Sequence, residues 1–175
     1  MIIKSSESEK KAVLRVAELM TVAARTAPKT KGIDNIEVLI ITDSEKDDVS
    51  QKMREIGERD SLGFLIRDAG CLDKAKCVVV IGAQLRYNGL NCGFCGHPTC
   101  RDAQEVGSIC AFNSVDCGIA LGSAVSIAAD NRVDNRIMFS IGSAVLELGY
   151  FDESVKQAFG IPLSSLGKNV FFDRK

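Results

Sequence analysis

The chain has 175 residues, 46% hydrophobic and 26% charged, with a net charge of −1 and a pI near 5.9. That length favours a single domain over residues 1–175, large enough to bury roughly 70% of its unfolded surface without the help of disulfides or a metal. The missing basic excess argues against a nucleic-acid partner, and no continuous apolar run approaches the roughly 20 residues of a membrane span, so no membrane partner is expected.

The opening stretch, MIIKSSESEKKAVLRVAELM, turns charged at once. It lacks the basic-then-apolar order of a secretory signal, and a cytoplasmic location is expected. Residues 7–27 carry the broad apolar face of a long helix, with Ser5 or Ser6 placed to cap it and Pro28 to end it. After the loop PKTKGIDN, residues 36–42 (IEVLIIT) are apolar and β-branched, as in a buried strand. Asp43 or Ser44 then starts a helix running over residues 45–56, and residues 62–66 read as a short strand.

CVVVIGA, residues 77–83, is the second buried strand. No long periodic segment follows until residues 118–131, a helix rich in small side chains. Residues 136–148 form another helix, with an internal Ser-Ile-Gly-Ser suited to close packing. A short helix over residues 153–159 is expected to break at Ile161-Pro162, and residues 169–173 read as a terminal strand. The sum is an α+β protein, a small buried sheet covered by helices.

Seven cysteines in 175 residues fall below the roughly 8–10% of a disulfide scaffold. The number is odd, and cytosolic thiols are normally reduced, so metal binding or thiol chemistry is the better expectation. Three cysteines lie in NCGFCGHPTC, and Cys92, Cys95, Cys100 and Cys117 are spaced C-x2-C-x4-C-x16-C. A four-iron cluster needs one thiolate per iron, converging on a compact cube. Gly93 and Gly96 let the backbone turn tightly and aim N–H groups at sulfur, which stabilises the reduced cluster. Cys117, read as the start of a helix, would gain from the helix dipole.

Alternatives remain at this stage. Cys110 competes with Cys117 as the fourth ligand. Zinc is a substitute metal, since His97 lies inside the loop, although zinc ribbons usually pair two C-x2-C knuckles. A catalytic cysteine–histidine pair using His97 is the weaker reading, and His97 is expected beside the site rather than in it. Cys71 and Cys77 read as small core residues.

The run Cys92-Gly93-Phe94-Cys95-Gly96-His97-Pro98-Thr99-Cys100, then Cys117, resembles the 4Fe–4S domain of the corrinoid iron–sulfur protein and of the B subunit of Rnf-type complexes. That resemblance covers residues 92–117 and implies that the four cysteines bind a 4Fe–4S cluster. The whole chain resembles an uncharacterised prokaryotic family described as ferredoxin-domain-containing.

The flanks also resemble a trimmed FMN-dependent nitroreductase. Ala23-Ala24-Arg25-Thr26-Ala27-Pro28 leads to Glu37-Val38-Leu39-Ile40-Ile41, and Leu148-Gly149-Tyr150 precedes Val155-Lys156-Gln157-Ala158-Phe159-Gly160-Ile161-Pro162. This second resemblance implies a nitroreductase-like sandwich with the cysteine-rich loop inserted, and a two-fold homodimer sharing a helical interface. The arginine-rich N-terminal segment that holds the flavin phosphate in that family is missing. Arg25, Lys29 and Lys31 are the remaining cations near the expected position, and Asp173-Arg174-Lys175 are at the C-terminus.

The resulting expectation is an iron–sulfur protein that passes single electrons to a redox partner protein whose identity the sequence does not give. The alternatives are a nitroreductase-like flavin oxidoreductase with the cluster as relay, and a zinc-stabilised interaction module. No catalytic residue can be named.

Overall fold

The apolar run that begins at Cys77 becomes the strand around which the other elements pack. In the computed structural model, which describes residues 2–172, it forms β2 (Cys77–Gln84), with Val78, Val79, Val80 and Ile81 fully buried. Its neighbours are β1 (Ile36–Ile41) on one edge and β4 (Val155–Ser164) on the other. The two-residue β3 (Asp134–Asn135) completes the sheet, in the order β1-β2-β4-β3, and every pairing is antiparallel.

Successive strand side chains point to opposite faces, and here both faces are covered. Cys77, Val79, Ile81 and Ala83 meet α1 (Ser5–Thr26) and α5 (Ala111–Asp130). Val78 and Val80 meet α2 (Asp43–Arg59), α3 (Gly63–Asp73) and α6 (Phe139–Glu147) on the other side. The result is a helix–sheet–helix sandwich, as expected from the sequence. The remaining helix, α4 (Cys100–Glu105), lies in the excursion between β2 and α5.

Several local expectations are corrected. Ser5 and Ser6 lie inside α1, whose N-cap residue is Lys4, with no side-chain cap bond. Asp43 and Ser44 are the first residues of α2, whose N-cap is Thr42. The strand expected over residues 62–66 is instead the start of α3, because Leu65, Ala69 and Leu72 are buried at helical spacing. The helix expected over residues 153–159 is the first half of β4, and its register against β2 extends through Pro162, opposite Val78. Proline is tolerated there because the β3 side of β4 is paired only at Gly160, Leu163 and Ser164, so no ladder bond is lost at Pro162. Residues 169–172 form a turn rather than a strand, and Asp173, Arg174 and Lys175 lie outside the described residues.

One further correction concerns α5. By length and composition it is apolar enough to cross a membrane, with a mean hydropathy of 1.3. The glycines, serines and alanines that dilute its apolar run hide this in the sequence. In the fold one of its faces lies in the core against α1, where Ser123 Oγ donates to Ala23 O at 2.9 Å.

The α6–β4 contact is close. A Cβ at Gly142 would stand 1.7 Å from Ala158 O, and one at Gly160 would stand 2.2 Å from Ile141 Cγ2. These paired notches bring helix and strand backbones together. Gly142→Ala should therefore cost at least about 3 kcal/mol in a urea titration, because main chain has to move. Gly70→Ala, on α3 with nothing within 4 Å of the new methyl, should instead stabilise by about 0.5–1 kcal/mol.

The core also holds two thiols. Burial pushes Cys117 up to about 11 and Cys77 up to about 12. Unfolding releases both to ionise near their ordinary value of 9.0, so the unfolded state binds fewer protons above that pH. The stabilisation is complete below pH 9 and drains away as the pH rises toward 11 and 12. Metal-free protein should lose about 2–3 kcal/mol through Cys117 alone over that window. Cys117→Ala should flatten the slope of denaturant stability against pH; an unchanged slope would show that the thiol ionises freely in the folded chain.

Candidate metal centre

Between β2 and α5 the chain leaves regular structure, apart from the short α4. The turn at its centre relies on left-handed backbone: Gly93 has φ 74° and Gly96 has φ 84°. Gly96 N–H donates to Gly93 O at 2.9 Å. Space beside both glycines is open, so it is backbone freedom rather than close approach that they supply.

Cys100 starts α4 for a local reason. Thr99 Oγ1 accepts from Asp102 N–H at 3.2 Å, and Asp102 Oδ2 accepts from Thr99 N–H at 3.1 Å, a reciprocal cap. Asn91 then ties the start of the loop to Cys100. Its Oδ1 accepts from Cys100 N–H at 2.8 Å, and its own N–H donates to Cys100 Sγ at 3.4 Å. A main-chain donor thus already rests on one of the loop sulfurs.

Cys92, Cys95, Cys100 and Cys110 line one tight pocket, whose cavity volume is about 10 Å³. Cys92 is exposed, Cys95 and Cys100 are half-buried, and Cys110 is buried. Cys110 is the N-cap residue of α5, so the helix-start position expected for Cys117 belongs to Cys110. α5 begins at Ala111, ahead of the start at Gly118 that the sequence pattern predicts. Cys117 therefore lies in the second turn, fully buried in the cluster that includes Val13, Met20 and Ile161, and it does not line the pocket. Cys77 sits in the same core, and Cys71, on α3, is half-buried with its thiol 3.9 Å from Val170 O.

His97 also lines the pocket, and its Nε2 lies 2.7 Å from Ser108 Oγ. Tyr87 donates to Ser108 O at 2.9 Å, so histidine and tyrosine both lean on Ser108. Phe94, between Cys92 and Cys95, stacks on Phe112 with centroids 5.7 Å apart and is 72% exposed.

The donor chemistry fits an iron–sulfur cluster. Four soft thiol donors surround one pocket, a glycine-bent backbone forms part of its wall, and one N–H is on sulfur. Among the described residues no three His, Cys, Asp or Glu side chains are arranged to hold a single metal ion. Zinc would need its sulfurs about 2.3 Å from a common centre, whereas a cluster keeps its thiolates apart by interposing the cube.

A flavin phosphate fits less well. Arg25 donates to Asp34 and, at 2.7 Å, to Ile36 O. Lys29 Nζ is bonded to Ala24 O at 2.9 Å and to Arg25 O, and Lys31 Nζ to Asn88 O at 3.1 Å. All three cations are engaged in holding the α1–β1 connection, and Arg174 and Lys175 lie outside the described residues.

Sequence reasoning missed a buried polar group under the loop. Asp116 Oδ1 accepts from Thr30 N–H at 3.0 Å and Thr30 Oγ1 at 2.8 Å. Asn113, 1% exposed, accepts from Arg86 N–H at 3.1 Å, while its Nδ2 has no partner among the described residues. A buried donor left unpaired costs about 1–3 kcal/mol. The signal was present as an asparagine and an aspartate in an otherwise apolar helix.

Residues 106–174 match the family described as "Uncharacterized protein containing a ferredoxin domain (DUF2148)". The matched span includes Cys110 and Cys117 and begins after Cys100. An "Uncharacterized protein" of Archaeoglobus fulgidus is 39% identical over 183 aligned residues, covering 99% of this chain and 98% of the relative. Among solved structures, nitroreductase CinD from Lactococcus lactis, in complex with nicotinic acid, superposes with a TM-score of 0.63 at 14% identity over 89% of this chain and 79% of that one. A putative NADH dehydrogenase/NAD(P)H nitroreductase from Bacteroides thetaiotaomicron gives 0.60 at 12% identity, over 96% and 77%. At such identities the likeness is one of fold. The fold is thus the nitroreductase-like sandwich, and the chain belongs to the DUF2148 family of ferredoxin-domain-containing proteins.

Proposed function

We propose that the chain is an iron–sulfur redox protein whose 4Fe–4S cluster is held by Cys92, Cys95, Cys100 and Cys110. One observation carries this reading: these four thiols line one pocket, whereas Cys117 packs in the core and does not line it. Cys117, packed in the core and outside the pocket lining, would have to reach a shared cluster from there. The spacing becomes C-x2-C-x4-C-x9-C.

When bound, such a cluster supplies one-electron redox capacity. The chain's own contribution is to hold and tune it. Gly93 and Gly96 shape the loop, and Asn91 N–H and the N-terminus of α5 place positive dipole near the thiolates, which favours the more negative state. Exposed Cys92 and Phe94 put one edge of the site at the surface, where a redox partner protein can approach. The ferredoxin domain of the family supports the cluster. The nitroreductase-like fold alone would support a flavin, but among the described residues Arg25, Lys29 and Lys31 are held by internal bonds rather than free for a phosphate.

The reading extends to a cytoplasmic homodimer. Val115 (46% exposed), Gly118, Ile119 (40%), Gly122 and Ser126 form an outward face of α5 without charge. Such a face, continuous at helical spacing, suits a second copy of the same helix. Ile119→Glu should convert dimer to monomer in light scattering behind size exclusion; an unchanged mass would rule out this face.

Anaerobic reconstitution with iron and sulfide should give about four irons per chain and a broad visible charge-transfer band. Cys110→Ser should abolish the band, while Cys117→Ser should keep it. The opposite pattern would restore Cys117 as the ligand, and one zinc per chain under the same conditions would sink the cluster altogether.

A further inference from the structure

Of the described residues other than glycine that hold left-handed backbone, Asn91 alone lies in the cysteine loop, with φ 48°. Few side chains tolerate that conformation, and asparagine tolerates it better than most. Gly93 and Gly96 turn the same loop by having no side chain. Asn91 turns it while keeping one, so the side chain at this position has a use that glycine does not serve.

That use is on Cys100. Asn91 Oδ1 accepts from Cys100 N–H at 2.8 Å, and Asn91 N–H donates to Cys100 Sγ at 3.4 Å. Cys100 is the first residue of α4, so its N–H has no partner within the helix. That N–H also settles which way the amide of Asn91 faces, since only its oxygen can accept. The two bonds run in opposite directions between the same two residues, and they close the stretch that carries Cys92 and Cys95. Asn91 lines the pocket together with Cys92, Cys95 and Cys100. The side-chain bond fixes Asn91 against Cys100, and the left-handed backbone turns its N–H onto the sulfur.

We propose that Asn91 is a positioning residue for the cluster: its side-chain bond to Cys100 N–H holds its own main-chain N–H on Cys100 Sγ, and this two-bond clasp sets the reduction potential. The proposal rests on the cluster reading above and adds a dependence on the side chain at position 91, although the donor to sulfur is main chain. Donation to a ligand sulfur stabilises the reduced state, which carries one more electron, and raises the reduction potential. A residue that can neither accept from Cys100 N–H nor hold left-handed backbone easily lets the donor swing away from the sulfur, and the potential falls.

The test is a dithionite titration, with mediator dyes, of anaerobically reconstituted wild type, Asn91→Ala and Asn91→Gly. Iron content of the wild type is read first; failure to take up about four irons there defeats the cluster reading itself, not the role of Asn91. In loaded protein, Asn91→Ala should shift the redox equilibrium about tenfold toward the oxidised state, about 59 mV for one electron. Asn91→Gly loses the side-chain bond but holds left-handed backbone freely, so its N–H still reaches the sulfur and the shift should be smaller. A fully loaded alanine variant with an unmoved potential would overturn the proposal, since a merely structural asparagine changes stability and not potential. Should the alanine variant fail to load, an anaerobic crystal structure of the loaded wild type decides. Asn91 N within hydrogen-bond distance of Cys100 Sγ, with Oδ1 on Cys100 N–H, supports the proposal; an Asn91 N–H turned to water or to a protein oxygen overturns it.

Discussion

Everything in this fold depends on β2 having no solvent-facing side. Val78 to Ile81 are apolar on both faces, and both edges of the strand are hydrogen-bonded. Such a strand is stable only if helices cover it front and back. That requirement places α1 and α5 on one side and α2, α3 and α6 on the other. It also fixes where irregular backbone can emerge, since the chain leaves the sheet at Gln84 and goes straight into the cysteine loop. A rigid strand before the loop and a long packed helix after it hold the two ends of an otherwise irregular segment.

The chemistry follows from that anchoring. Iron–sulfur ligation asks a loop to bend tightly, present thiolates inward and tolerate little rearrangement. Gly93 and Gly96 meet the first demand, and the Thr99–Asp102 cap with the Asn91–Cys100 bonds meets the others. The fourth thiol of the proposed site, Cys110, comes from the start of α5, where the helix dipole favours negative charge. A likeness of fold to nitroreductases thus coexists with a thiol-lined loop, the proposed site of a different cofactor. The cations at the end of α1 and in the loop beyond it are used to fasten the chain, and soft donors gather in the inserted loop.

Much of this was legible in the sequence. The strands at Ile36 and Cys77, the long first helix and the cysteine loop all announce themselves through burial pattern or composition. The strand β4 did not, because Gly160 and Pro162 look like breakers; they are tolerated since Gly160 makes room for α6 and Pro162 faces a gap in the ladder. The first turns of α5 were hidden by Asn113 and Asp116, whose polar atoms are used in tertiary bonds that no local pattern encodes. Once the helix begins at Ala111, Cys117 turns inward and Cys110 takes the cap position.

The central claim is that Cys92, Cys95, Cys100 and Cys110 together hold one four-iron cluster. The most direct test is a Mössbauer spectrum of native protein reconstituted anaerobically with iron-57. The account predicts a single cubane with every iron tetrahedral in sulfur, unchanged in a Cys117→Ser background. Uptake of no iron, or a spectrum that loses one iron site when only Cys117 is replaced, would contradict it.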